Sequence, residues 1–203
     1  MLEILVDEEF DLEGSPILGD ETDDVWLDVE ARPVYDAPDG WPYRRRHQPF
    51  MVALCGAMDP GVFWIQVIAG DEPDIIDYLA TNLEGRTLRY ASHKGAFDEM
   101  VLRGRFTTWR RPAAVEPGPW ANLDGEASIS WLNVWPAIRR ATGLLSRDAS
   151  PDDLPSKDVP AAWARGEKDL VARHCLRDAL GLALSDPEAV FSQKLRGRLM
   201  KLM

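Results

Sequence analysis

Two acids close a short apolar run near the start of the chain, where residues 25 to 32 read VWLDVEAR. In an extended strand, side chains two positions apart leave the same face, so Asp28 and Glu30 project together. Two carboxylates held side by side repel each other, and such a face either opens to water or holds a cation. The dipeptide spacing alone does not choose between these. A rival lies upstream, where Ile4-Leu5-Val6 runs into Asp7-Glu8-Glu9 in the same way. Two further groups carry side chains suited to the same chemistry. Asp98 follows YASHKGAF, residues 90 to 97, at the foot of a helix, where an acid is either a cap favoured by the helix dipole or a ligand. In EKDLVARHCLRDAL, residues 167 to 180, His174 and Asp178 stand at i and i+4 on one helix face, as a surface pair or as part of a site.

The elements that must position these residues follow from periodicity. Residues 50 to 58 and 62 to 69 are apolar runs split by Asp59-Pro60-Gly61, the pattern of a hairpin. With 25 to 32 as first member they make a three-strand meander. Over 72 to 83, Ile75, Ile76, Leu79, Ala80 and Leu83 recur at helical spacing. Leu88 to Ala91 reads as a short buried strand, and Phe97 to Leu102 opens another helix. Arg, Pro, Gly and Trp dominate 107 to 127, a surface loop or insertion. Ser128 to Trp131 is a candidate strand, and 133 to 143 a helix interrupted by Pro136. After a polar connector come helices at about 167 to 183 and 187 to 202, with Leu170, Val171, Cys175, Ala179 and Leu182 as the apolar stripe of the first.

At 203 residues the chain fits one domain with a full core. No apolar run approaches a membrane span, and the N-terminus carries acids where a signal peptide carries basic residues, so a cytoplasmic protein is expected. Two cysteines, Cys55 and Cys175, are too few for a disulfide framework or a four-ligand zinc site. The net charge of -11 is unevenly spread. Residues 1 to 24 hold ten acids and no Lys or Arg; removing those ten from the 34 acids leaves 24 against 23 bases. The segment 1–24 is thus an acidic N-terminal arm on a nearly neutral body. That body carries basic clusters at Arg44-Arg45-Arg46, Arg110-Arg111 and from Lys194 to Lys201. The last is either a phosphate-backbone contact or the solvated face of a core helix. Of the eight tryptophans, Trp26, Trp64, Trp131 and Trp135 fall in predicted elements, where packing is expected. Trp41, Trp109 and Trp120 lie in loops, suited to stacking on bases or to pinning the loops.

Taken together, Asp28-x-Glu30 on a strand, His93-Lys94-Gly95-Ala96-Phe97-Asp98 after a later strand, and His174 with Asp178 on a late helix resemble the three motifs of the DEDD superfamily of 3′ to 5′ exonucleases. The resemblance spans about residues 25 to 183. It implies an α/β, ribonuclease H-like fold, a mixed five-stranded sheet flanked by helices, over 25–203. Asp28, Glu30, Asp98 and Asp178 would bind two divalent ions, magnesium or manganese. Asp28 would bridge both, Glu30 and Asp178 would complete one shell, and Asp98 would help hold the second. His174 would orient or deprotonate the attacking water, and His93, Lys94 and Phe97 would contact substrate, a single-stranded DNA or RNA end. Two positions depart from the pattern. Lys94 stands where the family usually has Asn and suits an anion contact, not metal ligation. The gap from His174 to Asp178 is the four positions typical of the tyrosine branch, where the histidine branch generally has five. The alternative function is a catalytically inactive nucleic-acid-binding or assembly module on the same fold.

Overall fold

A computed structural model of the chain describes residues 1–12, 24–34, 47–58, 61–83, 86–90, 98–99, 101–102, 120–122, 154–186, 189 and 191–202. Six strands form one sheet: β1 (Glu3–Asp11), β2 (Asp24–Pro33), β3 (His47–Met58), β4 (Val62–Ala69), β5 (Thr87–Tyr90) and β6 (Trp120–Asn122), in the order β1-β4-β3-β2-β5-β6. The expected meander is present, with β2 antiparallel to β3 and β3 to β4. Gly61, at φ 97°, takes the left-handed backbone that lets the β3–β4 turn close. Parallel pairing of β5 with β2, and of β6 with β5, makes the sheet mixed.

Two expectations are corrected here. The sheet has a sixth member, because the first half of the acidic segment is not a free arm: β1 pairs antiparallel with β4 from Glu3↔Ala69 to Asp11↔Val62. As an edge strand it keeps one side open, so its acids stay hydrated while it pairs, and charges there discourage pairing with a second copy. The loop expected over 107 to 127 also contains β6. The strand expected at 128–131 and the helix at 133–143 lie outside the described residues.

Helices cover both faces of the sheet. On one lies α1 (Glu72–Asn82), whose Ile75, Ile76, Leu79 and Ala80 are buried. They pack with Val25, Leu27 and Val29 of β2, and with Val101 and Leu102 from the helical residues 98–99 and 101–102. On the other lie α2 (Val159–Ala164), α3 (Lys168–Ser185) and α4 (Gln193–Leu199). Val171, Cys175, Ala179 and Leu182 of α3 pack there with Trp26, Ala53, Cys55 and Ile65. The even positions of β2 therefore look toward α3 and the odd ones toward α1. None of the described helices is long and apolar enough to cross a membrane. In α4, Leu195 and Leu199 are buried while Lys194 and Arg198 are exposed, and the Arg198 guanidinium sits 5.0 Å from the Phe10 ring centroid. This is the core-helix arrangement with a solvated basic face.

A buried polar tie fixes α3 along β2. Asp186, just past the last turn of α3, accepts from Trp26 Nε1 at 2.8 Å and Arg89 Nη1 at 3.1 Å, while Arg89 Nε lies 2.8 Å from Asp24 Oδ2. Trp26 is fully buried, in accord with a packing role. Truncating one partner of a buried ion pair removes the compensation for the other's desolvation. Asp186→Ala is therefore expected to cost roughly 3 kcal/mol in urea unfolding. A loss under about 0.5 kcal/mol, the level of an ordinary surface change, would contradict this.

Candidate metal centre

The two even positions that follow Trp26 on β2 are Asp28 and Glu30, opposite Ala53 and Met51 of β3. The apolar neighbours on both sides of the strand make it a central one, so its acids are drawn inward with the rest of the segment. Across from them, α3 presents His174 and Asp178, only 7% and 5% exposed, which excludes a solvated surface pair. His174 Nε2 lies 3.3 Å from Glu30 Oε1 and 3.7 Å from Asp178 Oδ2. Asp98, at the start of a helical turn, is also buried at 6% exposure. A residue serving only as a solvated cap has no need of such burial.

Electrostatics join the four carboxylates into one cluster. Burial pushes the Asp28 carboxyl up to about 7, against a lowering by the Cys175 thiol. Glu30 is raised well above the usual range, first by burial and then by repulsion from Asp28, Asp178 and Asp98. Asp98 is raised by burial and by Asp28 and Asp178. Each acid senses the others because burial lowers the screening between like charges. Asp28 Oδ2 is buried with no hydrogen-bond partner among the described residues. Such an arrangement holds protons at low pH, or a cation when ionised.

One member was not expected. Cys175, assigned from sequence to the apolar stripe, is fully buried, and its Sγ donates to the Asp28 carbonyl oxygen at 3.5 Å. Ligand atoms of Asp28, Glu30 and Cys175 all lie within 4.8 Å of one another. The signal was its place three residues before Asp178, which puts both on one side of the helix. The rival acids do not join. Asp7 and Glu9 are exposed on β1, and Asp7 Oδ1 accepts from Gln66 Nε2 at 3.1 Å. The sequence-predicted Asp28, Glu30, Asp98, His174 and Asp178 are thus brought together, whereas His93, Lys94 and Phe97 lie outside the described residues. No family model matches this chain, and no curated protein or solved structure matches it either.

Proposed function

We propose that this protein is a divalent-metal-dependent phosphodiester hydrolase, a 3′ to 5′ exonuclease of the DEDD type acting at a single-stranded DNA or RNA end. The observation that carries this reading is the convergence of four carboxylates from three separate places: Asp28 and Glu30 from β2, Asp98 from the helical residues 98–99, and Asp178 from α3. The mixed sheet, antiparallel across β2, β3 and β4 and parallel across β5 and β6, is compatible with a ribonuclease H-like arrangement.

The residues fit the group they would hold. Four carboxylates offer oxygen donors, which magnesium and manganese prefer, and the Asp28 Oδ2 atom, without a hydrogen-bond partner among the described residues, is suited to a cation. When bound, a pair of such ions supplies charge neutralisation at the leaving oxygen and activation of a water. Asp28 would contact both ions, Glu30 and Asp178 one, and Asp98 the other. His174, beside Glu30 and Asp178, orients the attacking water and, in its neutral form, accepts the proton that water loses.

A non-catalytic nucleic-acid-binding or assembly module on the same fold is the second reading, in which a protonated His174, held through Nε2 by Glu30, stands in the place of a cation. End-labelled oligonucleotides of DNA and RNA, with magnesium or manganese, separate the two. Stepwise shortening from the 3′ end, lost in Asp178→Asn, is the expected result. A wild type that leaves every substrate intact while binding it identifies the second.

A further inference from the structure

We propose that the Cys175 side of this cluster is a binding site for a thiophilic divalent ion of the zinc or cadmium type, ligated by Asp28, Glu30 and the Cys175 thiolate. The inference rests on the reading of the cluster as a cation site, and it does not require the hydrolase activity. Its basis is geometric. The three ligand atoms lie within 4.8 Å of one another, on two elements whose relative position is fixed by packing. Zinc takes sulfur at about 2.3 Å and carboxylate oxygen at about 2.0 to 2.2 Å, which sets tetrahedral ligand atoms roughly 3.5 Å apart, so side-chain rotations that draw the atoms together by about an ångström close the set.

The donor set also has the right character. Three protein ligands, two oxygens and one sulfur, leave a fourth tetrahedral position for water. A soft thiolate favours zinc over magnesium, and zinc stands above manganese in the general order of first-row divalent affinities. The Asp28 Oδ2 atom, buried with no hydrogen-bond partner among the described residues, is a second observation that fits a bound cation. Binding exchanges the Cys175 S–H bond for a sulfur–metal bond, and the proton passes to solvent. Cys55 provides an internal control. Its Sγ donates to the Ala179 carbonyl at 3.7 Å, and it lies outside the group formed by Asp28, Glu30 and Cys175.

The test is titration of the metal-free full-length chain with cadmium, read by the ultraviolet thiolate-to-cadmium charge-transfer band and by melting temperature. The expected result is a band that saturates at one equivalent, persists in Cys55→Ser, disappears in Cys175→Ser, and needs about tenfold or more cadmium in Asp28→Asn. The proposal is overturned if the folded wild type gives no band, or if the band survives in Cys175→Ser. The wild-type arm decides even where Cys175→Ser does not fold. A chain inert toward nucleic acid that gives the band loses the hydrolase reading and keeps this site. One that cleaves with magnesium and gives no band does the reverse.

Discussion

Asp28→Asn is expected to reduce metal-dependent cleavage by on the order of 10³-fold while raising the melting temperature of the metal-free protein at neutral pH. The two effects have one cause. Asn has nearly the shape of Asp and fits the same place on β2, so the fold is preserved, but it removes a charge from a buried group of like charges. For the metal-free fold that charge is a cost, since burial pushes the Asp28 carboxyl up to about 7 and the same charge raises Glu30 and Asp98. For a hydrolase using divalent ions it is the group that binds them. A structural acid behaves in the opposite way, because its replacement destabilises the fold and leaves activity in the folded fraction intact. Single-turnover cleavage and thermal melts on the same preparations tell these apart. Activity within threefold of wild type, or a lowered melting temperature, contradicts the prediction.

Much of this site was legible because its positions obey simple periodicities. Asp28 and Glu30 share a face through the period of two of a strand, and His174 and Asp178 through the period of 3.6 of a helix. What the periodicity lacks is the layer each face meets. Asp7 and Glu9 repeat the pattern of Asp28 and Glu30 but lie on the edge strand, where their face is exposed. In the sequence, the two apolar runs that follow residues 25 to 32 favour the later pair. Burial of His174 had no local signature either, since it depends on α3 lying over β2.

The misses have physical reasons as well. Charge density in residues 1 to 24 suggested a hydrated arm, yet an edge strand satisfies its backbone on one side while its acids remain in water, so acidity does not exclude pairing. Cys175 read as part of an apolar stripe because a buried thiol packs like a small hydrophobe, and nothing in the stripe distinguishes a filler from a donor. The last helix begins at Gln193, later than the 187 expected, and the signal was available: Ser192 Oγ accepts from Leu195 N at 3.1 Å as its cap.

Raising the pH from 4 to 8 without divalent ions is expected to weaken the wild-type fold relative to Asp28→Asn, and adding magnesium or manganese at pH 8 to restore it. The sign follows from proton linkage. An acid raised in the folded state binds its proton more tightly there than in the unfolded chain, so folding is favoured while that proton is held. Above the ordinary value of 3.8 the unfolded chain gives up the Asp28 proton first, and the folded state loses this advantage steadily until about pH 7, where both are ionised. The difference between wild type and Asp28→Asn therefore opens above pH 3.8 and levels off near pH 7. Its full size for a carboxyl raised this far is on the order of 4 kcal/mol, or roughly 10 °C in melting temperature for a chain of this length. Glu30 and Asp98 shift in the same direction and repel Asp28, so the three lose protons as a set and broaden the transition. Divalent ions act on the other side of the balance. They bind the ionised set, so their stabilisation is small at pH 5, where protons compete, and large at pH 8. An ion effect that is equal at both pH values, or undiminished in Asp28→Asn, would place the cation elsewhere on this acidic chain.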